Sequence, residues 1–554
     1  MVASLLWASP HAAAPSSAHA NPEAFTTSRL AADPGDTQAA LALIHDAMTV
    51  SPEGRYHRLL RALRFLEDPD LRPLFARLRE DDHAALRVHG LLGTAELSKP
   101  RGLTTEDLVD LERDDQRAEV VGAALDGDLL NDATLDQLLA WPGLRPEVKL
   151  LLATRRVAAG RVKPGSAAHT AMIATLEQEV VPTAPGEAPD NAPGQRGLAA
   201  LLLHQLADAR GTRALADLNN SPAASRNSVR ATLLETARTH GLQHAGTWAL
   251  SVASESNLPP RLEDLALDVA ARFGNAHAHQ RWSEHYAQAL TKGHGSDQSR
   301  LALAALEFAS AAKPDFFNAL ADNPDPFVSA VGNACRAIAR FESESTPSHN
   351  NQANPQLLEA LAQLHATHHP LAHAWLARYA QAPNTSPLHA TAVARQLIAH
   401  YKTSHAVGRT RRLQAVLDAV EILLKCDPKA DTFLARVLHP SRANAPYATT
   451  TWTEAVLLGL IRSRTDAATR TASQLPPFTT GNTRALALLL RLRSGTALDE
   501  NDRVILGQVL RGQTQLDDEL RIQAAWAYLK RTDNTDLFNP IPTPTPSTSS
   551  TAKP

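Results

Sequence analysis

An all-helical chain, folded as an irregular α-solenoid of antiparallel helix pairs, is what this sequence predicts, on three observations. Apolar residues recur with the helical period. Between Arg411 and Lys425 they fall at Leu413, Val416, Leu417, Val420, Leu423 and Leu424, one stripe along a helix. Alternating β-branched runs bounded by Asn-Gly or Asp-Gly, the mark of hairpins, do not occur. Turn formers such as Asp68-Pro69, Asn323-Pro324 and Asp325-Pro326 interrupt the apolar stretches, as short antiparallel helices require. The pattern reads as about 25 helices and no sheet. So many short helices need a shared core, and stacked pairs, each burying its stripe against the next, supply one.

Composition bounds the rest. With 554 residues, 44% hydrophobic and 20% charged, the chain exceeds one ordinary domain and can bury a sizeable core. Aromatics at 5% and 26 glycines are low for sandwiches, propellers or sugar-binding clefts. Two cysteines exclude a disulfide framework and any multi-cysteine zinc or iron–sulfur site. No run of eighteen apolar residues occurs, so no membrane span is expected. A net charge of −3 argues against binding nucleic acid over the whole surface.

Along the chain, residues 1–36 read as a leader. Its first cation is Arg29, Val2 to Trp7 is a short apolar stretch, and Ala18-His19-Ala20 has the form of a signal-peptidase site. Two readings stay open: a signal peptide over 1–20, placing the protein in the periplasm or outside the cell, or an Ala/Ser/Pro leader on a cytoplasmic protein. Helical repeat block 1 covers 37–181. In it, Thr104 and Asp107 form a variant capping box, and Leu144, Val148, Leu151 and Leu152 repeat the helical stripe behind Pro146. A Pro/Gly linker follows at 182–197, then block 2 at 198–341, a polar linker at 342–355, and block 3 at 356–532. The end, 533–554, is a Pro/Ser/Thr tail expected to be disordered. Cys335 and Cys426 each sit in an apolar helical stretch and read as buried free thiols.

Several segments share a pattern: an acidic or Pro-containing turn, an aliphatic–basic pair, then an Ala/Leu-rich helix. The pairs are Leu86-Arg87, Val148-Lys149, Val229-Arg230 and Leu520-Arg521, and in the segment from Phe317 Ser329 takes the basic position. Here the chain resembles the HEAT-repeat family of armadillo-type helical repeats, in divergent form and over about a quarter of its length. The spacing of the pairs fits no single period. No recurring TPR signature is present. The resemblance implies a HEAT/ARM-like superhelix that works as a protein-binding scaffold.

Phosphate loops, dinucleotide fingerprints, nucleophile elbows and zincin motifs are absent. Lys292-Gly293-His294-Gly295-Ser296 lacks a preceding strand and reads as a loop. Asp126-Gly127-Asp128 with Asp132 lacks the spacing of a calcium loop. Among the 23 histidines the densest cluster is His365, His368, His369 and His373. Pro370 should break the helix there and put His365 and His369 on opposite sides of a turn, which argues against a metal site. The sequence therefore predicts no cofactor, no metal and no catalytic residue, with an enzyme cleft in an all-α array as the alternative.

Charge is unevenly spread. Residues 1–359 carry 33 basic and 44 acidic groups, whereas 360–498 carry 16 and 6. Ala360 to Leu417 contains no carboxylate but holds Arg378, Arg395, Lys402, Arg409, Arg411, Arg412 and seven histidines. Those six cations are the predicted anion-facing or partner-binding surface. The expected partner is a protein, with an acidic protein or an anionic polymer suiting the charge. Nucleic acid is less favoured, because few aromatics are available for stacking. The acidic pole from Glu96 to Asp136 of a second copy is a further candidate, giving weak head-to-tail self-association.

Overall fold

The computed structural model describes residues 29–538, less 50–54, 99–101, 108–119, 181–192, 293–303, 345–353, 404–408, 440–449 and shorter stretches among them. The leader through residue 28 and the tail from residue 539 therefore lie outside the described residues. Among the described residues are 27 helices, two of them 3₁₀ turns, and no strand; helix content is 77%. The fold class is all-α, as the apolar periodicity predicts.

The described residues divide into two compact units, one built from residues 102–427 and the other from 29–98 together with 428–538. The second unit opens with α1 (Pro34–Ala47), α2 (Arg55–Arg64), α3 (Arg72–Arg79) and α4 (Ala84–Leu97). The continuous unit then holds α5 (Asp132–Ala140), α6 (Pro146–Ala158), α7 (Ala167–Val180), α8 (Pro193–Gln205) and α9 (Ala209–Asn219). It goes on through α10 (Ala223–His240), α11 (Ala245–Ala253), α12 (Pro260–Phe273), α13 (Ala276–Lys292) and α14 (Asn318–Ala321). It ends with α15 (Pro326–Glu344), α16 (Pro355–Ala366), α17 (Pro370–Gln381), α18 (Pro387–Thr403) and α19 (Arg409–Cys426). The second unit is completed by α20 (Ala430–Leu438), α21 (Thr450–Arg462) and α22 (Asp466–Ser473). Its last three helices are α23 (Gly481–Arg493), α24 (Glu500–Leu510) and α25 (Asp518–Arg531).

Local chemistry sets these boundaries. Prolines 34, 146, 193, 260, 326, 355, 370 and 387 each occupy the first position of a helix, where the missing N–H costs nothing. Side chains of Asp33, Asn131, Asp208, Asn354, Thr465, Asp499 and Asp517 accept from first-turn N–H groups as N-caps. The capping box forms as read: Thr104 N donates to Asp107 Oδ2 (2.9 Å) and Asp107 N to Thr104 Oγ1 (3.3 Å). Helix α8 begins at Pro193, inside the stretch read as a linker, because that proline serves as a helix start. The expected tail likewise starts ordered, with Leu537 buried and its carbonyl bonded to His45 Nε2 (3.0 Å).

Within the continuous unit, chain neighbours pack as α8 with α9, α11 with α12, α14 with α15 and α18 with α19. Alternate helices also meet: α6 with α8, α8 with α10, α10 with α12, α16 with α18 and α17 with α19. The core is mostly leucine and alanine, with Trp282 and Phe317 fully buried. In α19, Val416, Leu417, Val420, Leu423 and Leu424 are buried, following the predicted stripe. In α6 the stripe is broader than read. Leu150 is buried while Leu151 is 41% exposed, because α6 packs against α5, α7, α8 and α10 and its buried arc is set by all four.

In the discontinuous unit the two ends of the chain pack together. Helix α25 lies against α1 and α2, and α24 against α1. Trp526 Nε1 donates to Asp68 Oδ2 (3.1 Å), and Lys530 Nζ bonds Asp68 Oδ1 (2.8 Å) and Asp70 Oδ2 (2.9 Å). Tyr528 Oη accepts from Asp33 N (3.0 Å), and Leu30 N donates to Arg531 O (3.0 Å). Distance along the sequence is therefore not distance in space at the chain ends.

At three of the five aliphatic–basic positions the side chain donates to a backbone carbonyl at or just beyond the end of the preceding helix. Arg87 Nη1 donates to the carbonyls of Asp81 (3.0 Å) and Asp82 (2.8 Å), just beyond α3. Ser329 Oγ donates to Ala321 O (2.7 Å), the last residue of α14. Arg521 donates to Val509 O (3.0 Å) and Leu510 O (3.2 Å) at the end of α24. Arg230 Nε donates to Asn219 Oδ1 (3.1 Å) and Arg226 Nη1 to Asn219 O (2.7 Å) at the end of α9. Carbonyls at a helix C-terminus lack internal partners and carry partial negative charge, so a donor from the next helix satisfies both needs. Lys149 makes no such bond among the described residues. Three residues after Arg87 and Ser329 stand Gly90 and Gly332. A Cβ on either would lie 2.2 Å from the backbone nitrogen of Arg79 or Ala321, so these helix pairs cross at backbone contact.

Candidate functional site

The six cations singled out in the sequence fall on three helices of the continuous unit. Arg378 is on α17, Arg395 and Lys402 are on α18, and Arg409, Arg411 and Arg412 occupy the first turn of α19. Only Arg395 has a described side chain, and it is already partnered. It donates Nε (3.0 Å) and Nη2 to Asp427 Oδ2 just past the end of α19; Asp427 is buried and Arg395 keeps 41% side-chain exposure. The side chains of the other five lie outside the described residues. Elsewhere in 360–498, Arg470 is paired with Asp431 (2.7 Å), Arg491 with Asp502 (2.9 Å), and Arg493 donates to Ile461 O (2.6 Å). The positive excess is thus partly consumed in tying helices together, which a charge count does not register.

The histidines divide in the same way. Helix α16 ends at Ala366 and α17 starts at Pro370, so His365 and His369 flank a break, as the proline requires. His369 stacks on Phe327, with ring centroids 4.0 Å apart, and burial lowers its pKa although Asp325 pulls it up. His389 is fully buried and its pKa too is lowered by burial. Burial thus disfavours the charged form of both rings in the folded chain. The side chains of His373 and His400, and His368 and His405 altogether, lie outside the described residues.

Other chemistry-bearing groups are mostly spent between helices. Arg230, with none of its side chain exposed, holds both oxygens of Glu255 (Nη1 to Oε2, 2.9 Å). Arg64 holds Glu96 (Nε to Oε2, 3.0 Å), and Arg156 pairs with Asp132 (3.1 Å) and Asp136 (2.9 Å). Three carboxylates of the predicted acidic pole are therefore internal partners. Among the described residues, His285 on α13 is an imidazole set among carboxylates. Its Nε2 donates to Asp264 Oδ1 (2.8 Å), and that bond raises its pKa against burial, with Asp264, Glu263 and Asp268 adding to the rise. An open groove runs between α10 and α12, lined by Thr232, Glu235, Thr236, Thr239, His240 and Leu265. Burial, then Arg155, lowers the pKa of His240.

Among the described residues no group of three or more His, Cys, Asp or Glu side chains is placed to hold a metal ion. Residues 293–296 of the glycine-containing loop, and Asp126 and Asp128, lie outside the described residues. Cys335 is buried and Cys426 half-buried; both are free thiols with pKa raised by burial. No helix of the described residues is long and apolar enough to cross a membrane. Compared with known protein families and curated proteins, the chain matches no family model and no curated sequence. Arg230–Glu255, Arg395–Asp427 and His389 were not legible as sites in the sequence, since each depends on partners brought together by folding.

Proposed function

We propose that this chain is a non-enzymatic helical-repeat scaffold, HEAT-like in its helix pairing, that holds a macromolecular partner on α17–α19. The observation that carries the reading is the recurrent stitch at α4, α10, α15 and α25. In each, a side chain near the helix start donates to a backbone carbonyl at or just beyond the end of the preceding helix. With alternate helices packed in series, this is the economy of a stacked array, in which titratable groups serve helix junctions. A divergent α-solenoid follows from extending that packing along the continuous unit.

The anion-facing character of α17–α19 is supported by the start of α19. Arg409, Arg411 and Arg412 stand at the positive end of a helix of 18 residues that has no acidic residue in its first turn. Cations there are electrostatically unfavourable alone and are relieved by a bound anion, so an acidic protein or anionic polymer fits this surface. Arg395 contributes through Asp427 to the packing of α18 on α19 and is left out of the contact set.

The test is retention of the full chain on immobilised heparin and on polyglutamate. The wild type should be retained at low salt, and Arg409→Glu/Arg411→Glu/Arg412→Glu should elute far earlier. Equal retention of both proteins, with circular dichroism showing both folded, would remove this surface from the proposal.

A further inference from the structure

The seam between α15 and the helices that follow it rests on two imidazoles. His369, just before α17, stacks on Phe327 at the start of α15 with planes 21° apart. His389, in the first turn of α18, meets Phe341 near the other end of α15, with centroids 5.2 Å apart and planes at 74°. His389 is 0% exposed. Its Nε2 receives the backbone N–H of Asn354 at 3.2 Å. A backbone N–H can only donate, so Nε2 carries no proton in the folded seam and the ring hydrogen sits on Nδ1. Asn354 is in turn the N-cap of α16, with Oδ1 accepting from Gln356 N (3.0 Å) and Leu357 N (3.1 Å). One neutral imidazole thus fixes the residue that starts α16 and ties α15, α16 and α18 at one point.

We propose that His389 is an acid-sensitive latch: protonation at Nε2 turns the acceptor of the Asn354 N–H into a donor and frees the first turn of α16. A charged ring at this position has no exposure to water, and its buried Nδ1 has no hydrogen-bond partner. The neighbouring Ser386 Oγ on the same turn is likewise buried without a partner. Burial is the cause that lowers the His389 pKa. The latch is therefore closed at neutral pH and is strained as pH falls through and below the ordinary histidine range. The other titratable pair in the seam is His369 with Asp325. Burial lowers the pKa of His369 on balance although Asp325 and the Phe327 face favour the charged ring, so any share of the acid response that His369 carries is separated from that of His389 by His369→Phe.

The experiment is hydrogen–deuterium exchange of the full chain at pH 7.5 and 5.0, read as protection factors for the amides of Asn354, Gln356, Leu357 and Leu358. Circular dichroism at each pH monitors overall helix. The wild type should lose protection by about tenfold or more at the lower pH, the scale of one lost buried hydrogen bond. His389→Gln keeps a side-chain acceptor that does not titrate, so its protection should hold at both pH values. His369→Phe should behave as wild type. Histidine NMR titration of the wild type reports independently of either variant. One ring should titrate well below an exposed histidine, in step with the lost protection. Unchanged wild-type protection, an equal loss in His389→Gln, or only ordinary histidine titrations would overturn the latch.

Discussion

Arg230 loses all contact with water, yet its guanidinium is matched by both oxygens of Glu255 and by Asn219. Removing one partner of a buried pair costs far more than the pair contributes, because a charge is left without its counterpart. Arg230→Ala should lower stability by about 3 kcal/mol, the low end for such a break, since Glu255 keeps 28% side-chain exposure. Arg230→Met, which restores the packing, should cost less, and thermal unfolding of the two variants measures the difference. His285 gives the opposite pH response to His389. Its Asp264 hydrogen bond raises the folded pKa above the unfolded value near 6.5. Its stabilising contribution is complete below that unfolded value and is lost as pH rises through the raised folded pKa. His285→Gln should therefore lower Tm more at pH 6 than at pH 9. A deficit that is equal at both, or larger at pH 9, would show that the Asp264 pair is not titrating this way.

Helix pairs carry the next level of constraint, and the two glycines at backbone contact are where it can be tested. Gly90→Ala and Gly332→Ala each require a Cβ 2.2 Å from the nitrogen of the facing helix. The facing atoms are backbone and cannot rotate away, so each should destabilise by about 1–3 kcal/mol or more. Gly160→Ala probes something else, since that glycine has φ of +63° and nothing near its Cβ position; backbone strain alone should cost about 1 kcal/mol there. Differential scanning calorimetry that found Gly90→Ala no more destabilising than Gly160→Ala would contradict the close packing. Much at this scale was legible in the sequence. The prolines at 146 and 370, the Thr104–Asp107 box and the stripe of α19 are local signals, and each formed where it was read. The Leu-Arg and Val-Arg pairs were visible, but what they bond was not, since a carbonyl acceptor leaves no mark in sequence. Leu151 was misplaced because a periodic stripe gives the centre of a buried face and not its width.

Across the molecule, what the sequence concealed is non-local. Arg395 and Asp427 are 32 positions apart, and Asp68 and Trp526 are 458 apart. The first pairing gives one of the six expected surface cations an internal partner while leaving it 41% exposed, and the second brings together chain ends that an open array would separate. The ends should be interdependent: deleting residues 518–538 removes α25 and should raise exchange in α1 and α2 to unfolded levels, while Asp68→Ala should weaken the same helices by a smaller amount. Protected α1 and α2 in the truncated chain would contradict that unit. The proposed role rests on the other unit, on the cations that the sequence places along α17–α19. The most direct test is the dissociation constant of polyglutamate for the full chain over a range of salt concentrations. Surface charges are screened within a Debye length of about 8 Å at physiological ionic strength, so affinity should fall steadily as salt rises. Arg409→Glu/Arg411→Glu/Arg412→Glu should lose at least about tenfold in affinity at low salt and most of the salt dependence. The same constant and the same salt slope in wild type and variant would contradict an anion-binding scaffold.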